Sequence, residues 1–115
     1  MIVCRSDELP PGGMRTVDRN GVPIVVVRSA AGSLHSVRGT CAHQGADLGQ
    51  GRLTWLIESE RPGCYQLSRD GEILRCPWHG FEYDVVSGRC ISDPSLRLRT
   101  YVVAESDGFV RLEDM

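Results

Sequence analysis

Two short stretches of this chain could hold a metal: Cys41-Ala42-His43 and Cys76-Pro77-Trp78-His79. Each offers one thiol and one imidazole within a few residues, and a glycine follows each, at Gly45 and Gly80. The chain has five cysteines and three histidines, so these stretches take two of each. A loop that aims a thiolate and an imidazole the same way is half of a metal site, and two such loops complete four ligands. Three readings compete. The cysteines could be buried thiols with histidines that merely sit on loops, as a lone Cys or His generally does. Two matched pairs argue against that. The four could hold a structural zinc, since two cysteines and two histidines are a zinc set. Zinc fingers, however, usually place two cysteines on one knuckle and two histidines on a helix, whereas here each loop mixes one of each. The third reading is a [2Fe–2S] cluster, one per chain, with both cysteines on one iron and both histidines on the other. Gly45 and Gly80 suit it, because a side chain there would obstruct close backbone approach to the sulfides, and N–H groups could donate to them.

At 115 residues the chain reads as one domain, 1–115, large enough for a modest core but not for a separate catalytic domain. Hydrophobic content of 41% with 24% charged residues matches an ordinary soluble globular protein. A net charge of −2 provides no basic stripe for phosphates, which argues against a nucleic-acid partner. The first residues contain no basic segment followed by an apolar one, so no signal peptide is visible. The longest apolar run, residues 22–27, is interrupted by Pro23 and is far short of a membrane span. A cytoplasmic location is expected. Thiols stay reduced there, and paired Cys and His spacings then point to metal rather than to disulfides.

The elements that must position the loops are short strands. Residues 14–17 read as a strand, Asn20-Gly21 as a hairpin turn, and 22–27 as a β-branched strand with Pro23 near its start. Residues 34–37 alternate as a half-buried strand would and feed the first loop. Between the loops, 52–58 and 64–67 read as strands separated by a turn at 61–63, and Asp70-Gly71 reads as a further turn into a strand at 72–75. After the second loop come a strand at 81–85, a turn at Ser87-Gly88, a loop at 92–95, and a closing hairpin of 99–104 with 109–112. No stretch sustains a helical period, so the expected fold is all-β, a sandwich or small barrel.

The residues Cys41-Ala42-His43-Gln44-Gly45-Ala46 and Cys76-Pro77-Trp78-His79-Gly80 resemble the two motif halves of the Rieske [2Fe–2S] family. The likeness runs on through Tyr83-Asp84, Ser87-Gly88-Arg89 and Tyr101-Val102-Val103. It implies an antiparallel β-sandwich carrying a small cluster-binding subdomain, about residues 39–90, with the two ligand loops at one tip. It also implies that Cys41, His43, Cys76 and His79 are the cluster ligands, and that residues 93–95 form a third, proline-containing loop over the cluster. Departures narrow the subtype. The extra cysteine that Rieske subunits of respiratory complexes carry in each loop is replaced by Ala46 and Trp78, so their disulfide cannot form. Phe81 stands at the position of a serine donor, while Tyr83 is retained at the tyrosine position. The chain is thus similar to the soluble ferredoxins that pass electrons from a reductase to a terminal oxygenase. It reads as an electron carrier and not itself an enzyme: after two histidines are used, only His35 remains, too few for the two-His-one-carboxylate iron site of an oxygenase. The resemblance implies redox partners, a flavin reductase and a terminal oxygenase. The rival readings are a small accessory subunit of a reductase or oxygenase complex, or a non-redox zinc-stabilised module. His35 is expected to be structural or surface-facing, Cys4, Cys64 and Cys90 to be thiols outside the site, and Trp78 to shield the cluster from water. Residues 44–75 separate the two boxes, longer than the family's usual spacing, and the surplus at about 55–68 reads as an added hairpin.

Overall fold

The computed structural model describes residues 1–42, 45–61, 64–77 and 80–113; for 56–61 and 64–69 it describes the backbone. Among the described residues, ten strands run in chain order: β1 (Ile2–Arg5), β2 (Met14–Arg19), β3 (Val22–Arg28), β4 (Leu34–Arg38), β5 (Arg52–Arg61), β6 (Cys64–Arg75), β7 (Glu82–Asp84), β8 (Thr100–Tyr101), β9 (Val103–Ser106) and β10 (Phe109–Leu112). They form three antiparallel sheets, ordered β1-β10-β9, β2-β3-β4-β8 and β5-β6-β7. Two single 3₁₀ turns, Ser6–Glu8 and Leu48–Gln50, are the helical segments among the described residues. The fold is all-β, as the composition of short strands implies.

The strand β3 is the wall on which everything packs. Ile24, Val25, Val26 and Val27 are all fully buried. Because successive side chains point to opposite faces, Val25 and Val27 join one core with Val37, Cys41, Leu48, Leu74, Cys76 and Tyr83. Ile24 and Val26 join a second core with Cys4, Leu9, Val110 and Leu112. A strand covered on both faces reads as an unbroken apolar run, which is why residues 24–27 show no polar alternation. Each such side chain contributes roughly 1.5–3 kcal/mol on burial. The turn preceding β3 is held by Asn20 and Gly21 at φ 55° and 84°, the two positive values a tight type I′ hairpin requires.

At its end, β3 also ties the sheets together. The Arg28 guanidinium donates from Nε to the Leu9 carbonyl at 2.6 Å, from Nη1 to the Gly32 carbonyl at 3.0 Å, and from Nη2 to Glu105 Oε2 at 2.7 Å. Glu105 lies on β9, so this one side chain links the four-stranded sheet to the small terminal sheet.

Two expectations are corrected, and one strand was not anticipated. Asp70-Gly71 is not a turn between two strands: β6 runs continuously through it, opposite β5. The register moves from Thr54↔Ile73 to Leu56↔Ser68, so β6 accommodates extra residues there as a bulge. Gly71 takes φ +76°, and the Asp70 carbonyl accepts from the Ala30 amide at 3.1 Å. The bulge therefore seats the long hairpin on the β3–β4 turn. Second, residues 99–104 are not one strand: β8 belongs to the four-stranded sheet and β9 to the terminal one, with the chain changing sheets at the exposed Val102. Strand β1 had no counterpart in the sequence reading. Its partner β10 lies at the far end of the chain, with Arg5 opposite Phe109, a pairing that local patterning cannot reveal. Pro62 and Gly63 of the turn expected at 61–63 lie outside the described residues.

Candidate metal centre

The two cysteine loops are built alike. The Cys41 amide donates to the Ala46 carbonyl at 2.8 Å, and the Cys76 amide donates to the Phe81 carbonyl at 2.7 Å, so each loop closes five residues past its cysteine. In each, the glycine four positions on turns the chain back, Gly45 at φ +73° and Gly80 at φ +68°. The glycines are thus needed for a left-handed backbone. At Gly45 the neighbouring protein would leave room for a side chain, since a Cβ would meet only Thr40 Cγ2, at 3.9 Å.

Each loop is anchored on regular structure. The first leaves β4 through Gly39, whose carbonyl accepts from the Leu48 amide at 2.9 Å, and Thr40 bridges Asp47. Asp47 then caps the 3₁₀ turn, accepting from the Gly49 amide at 2.9 Å. The second loop connects β6 to β7, which pair directly through Arg75 and Glu82. Cys41 and Cys76 are each 3% exposed and belong to the same buried core.

Tyr83, fully buried on β7, joins the first loop to the third sheet. Its hydroxyl lies 3.1 Å from Cys41 Sγ and accepts a hydrogen bond from the Ala42 amide, also at 3.1 Å. Burial, reinforced by the contact with Cys41, pushes the phenol well above its ordinary pKa. It therefore stays protonated. With the Ala42 N–H directed at its oxygen, its own hydrogen is available to a Cys41 thiolate, and a thiolate ligand is an acceptor.

The structure thus gathers Cys41, Cys76 and Tyr83. His43 and His79, the other expected ligands, lie outside the described residues, as does Trp78. His35 is half-buried on β4 beside Val27, and its Nε2 makes no hydrogen bond among the described residues. Cys4 is buried in the second core, where burial raises its thiol pKa and makes it inert. Cys90 is buried in the first core, opposite Tyr83 on a neighbouring bridge. The side chain of Cys64 is outside the described residues. Residues 93–95 form a tight turn in which Asp93 Oδ1 accepts from the Ser95 amide at 3.0 Å and its hydroxyl at 2.7 Å. The five-residue closure shared by the two loops was legible in the sequence as a common Cys-x-x-x-Gly spacing.

Two buried cysteines of one core, on matched glycine turns, one with a phenol at hydrogen-bond distance of its sulfur, form the described part of a candidate thiolate metal centre in an all-β scaffold. Such a donor set fits a cluster with two thiolate ligands and hydrogen bonds to the ligand sulfur. The chain belongs to the Rieske [2Fe-2S] domain family, whose model matches residues 1–102. It is similar to the ferredoxin CarAc of Metapseudomonas resinovorans, 28% identical over 109 residues covering 94% of this chain and 87% of that protein. It is also similar to the 3-phenylpropionate/cinnamic acid dioxygenase ferredoxin subunit of Photorhabdus laumondii, 27% identical over 109 residues, covering 94% of this chain and 88% of that one. Among solved structures, a chain of the complex of reduced oxygenase and oxidized ferredoxin in carbazole 1,9a-dioxygenase superposes with a TM-score of 0.76 at 27% identity, over 98% of this chain and 100% of that one. The cofactor of the family is one [2Fe-2S] cluster.

Proposed function

We propose that this protein is the ferredoxin of an oxygenase system: an electron carrier, not itself an enzyme, that takes electrons from a flavin reductase and delivers them to a terminal oxygenase. Its place is the cytoplasm, and residues 1–115 act as one domain with the cluster-binding part at about 39–90. Cys41 and Cys76 bind one iron, and His43 and His79 the other. The observation that carries this reading is the matched pair of cysteine loops, each closed over five residues by its cysteine amide, with Tyr83 aimed at Cys41 Sγ. The relatives that match nearly full length are ferredoxin components, which supports a carrier over a catalyst.

When bound, the cluster supplies reversible one-electron chemistry. The chain does the rest. The two buried cysteines fix the inner edge, and Tyr83 stabilises negative charge on Cys41 by donating its hydroxyl hydrogen. The core around Val25, Leu48 and Leu74 excludes water from the sulfurs. His43 and His79 serve as the exit edge for the electron.

Iron and acid-labile sulfide analysis of the purified protein tests the assignment. The expected result is equal iron and sulfide in the wild type, with both lost in Cys41→Ser and Cys76→Ser. Zinc in place of iron, without sulfide, would show the structural-zinc alternative to be correct. Reconstitution with a flavin reductase and a Rieske oxygenase tests the role, with NADH-dependent oxygenase turnover expected only when the iron-loaded protein is present.

A further inference from the structure

Arginines flank both cysteine loops. Beside Cys41 lies a groove of about 360 Å³ lined by Arg38, Arg97 and Arg99 together with Thr40, Cys41 and Ala42. Beside Cys76 lies another, of about 300 Å³, that includes Arg52 and Arg75. Among the described residues, no carboxylate lines either groove. All five arginines are exposed.

The arrangement is built into the backbone. Leu98 is buried, so the alternation of an extended chain turns Arg97 and Arg99 to the same outward side. The Arg38 amide donates to the Arg99 carbonyl at 2.9 Å, which brings the third arginine alongside. The Arg99 guanidinium sits 5.3 Å from the Tyr101 ring centre, which holds that side chain against the surface. Composition alone does not create this face, because the whole chain carries a net charge of −2. The sequence has no lysine, so all 13 of its Lys and Arg positions are arginine, whose planar fork pairs with carboxylates through two parallel hydrogen bonds.

We infer that the cysteine-loop end of the protein docks an acidic surface, a run of Asp and Glu side chains, on its electron-transfer partner. This rests on the electron-carrier reading above and adds to it the chemistry of the partner. Three arginines at the first groove and two at the second are more positive charge than one free carboxylate would neutralise, which fits an acidic protein surface. Charges at such a rim speed and orient encounter and make it salt-sensitive.

The test uses the iron-loaded full-length protein and a fluorescein-labelled hexaglutamate peptide, followed by anisotropy at low ionic strength. Arg38→Gln/Arg97→Gln removes the charge at the first groove. Arg5→Gln/Arg111→Gln removes the same charge from the terminal sheet, on the other core. The visible spectrum of each variant reports whether the cluster is intact, so loss of the cluster reading is separate from loss of this one. The expected result is binding that weakens at least roughly tenfold in Arg38→Gln/Arg97→Gln, is unchanged in Arg5→Gln/Arg111→Gln, and is abolished by salt. Equal weakening in both variants would overturn the inference, showing only a response to net charge. So would absence of binding with the cluster intact, or competition by free glutamate as effective, residue for residue, as the peptide.

Discussion

Tyr83 is the side chain whose contribution can be measured most cleanly. Its hydroxyl stands 3.1 Å from Cys41 Sγ, and its raised pKa keeps it a donor. A donor to a ligand sulfur favours the more negative, reduced state. A hydrogen bond nets roughly 1 kcal/mol, and about 1.4 kcal/mol corresponds to about 59 mV for one electron. Tyr83→Phe should therefore lower the midpoint potential by on the order of 40 mV without unfolding the protein. An unchanged or higher potential by voltammetry would show that the phenol does not donate to the sulfur. Phe81, partly buried against the same core, brings no hydroxyl to the site. With that donor missing, the wild-type midpoint is expected in the lower part of the roughly −150 to +300 mV range of Rieske centres. A value well above zero would contradict this. Residue type and spacing singled out Cys41 and Cys76 as candidate ligands, and the family resemblance alone pointed to Tyr83. The Tyr83 bond was not legible, because 42 positions separate it from Cys41 and the two meet only through packing in one core.

Among the elements, β5 and β6 were readable as strands, while the bulge of β6 was misread. Asp-Gly is a strong local turn signal, and what overrides it is tertiary: the bulge hydrogen-bonds to Ala30 on the β3–β4 turn. A Cβ on Gly71 would come within 2.9 Å of the Ala30 amide nitrogen, at a φ of +76° that side chains rarely adopt. Gly71→Ala should therefore cost about 1–3 kcal/mol in stability by urea denaturation. A loss below a few tenths would show that the bulge is not held against the turn. The split of residues 99–104 between β8 and β9 was hidden for a related reason. A continuous alternating run does not announce which sheet each half joins. The stretch at about 55–68, expected as an insertion between the two boxes, includes Pro62 and Gly63, which lie outside the described residues, and we propose that it forms part of the partner-docking surface. Deleting it should slow turnover in the reconstituted oxygenase system severalfold, and unchanged turnover would refute that role.

Across the whole molecule, β3 separates two cores, and the Arg28–Glu105 pair ties the terminal sheet to that wall. The hydrogen bond from Arg28 holds the Glu105 carboxyl below its ordinary pKa. A depressed folded-state value stabilises the fold above the unfolded carboxylate pKa, and that stabilisation is lost as pH falls through the folded value. Thermal melts should therefore show Glu105→Gln less stable than wild type near neutrality, with the gap closing in acid. A gap that persists unchanged at low pH would mean the charge of Glu105 contributes nothing. The central claim is that the two cysteine loops hold a Rieske cluster, and an anaerobic visible and EPR spectrum before and after dithionite tests it most directly. A brown protein whose reduced form gives a rhombic signal with a low average g is the predicted result. A colourless, EPR-silent protein with bound zinc would contradict the account and leave a structural module in place of an electron carrier.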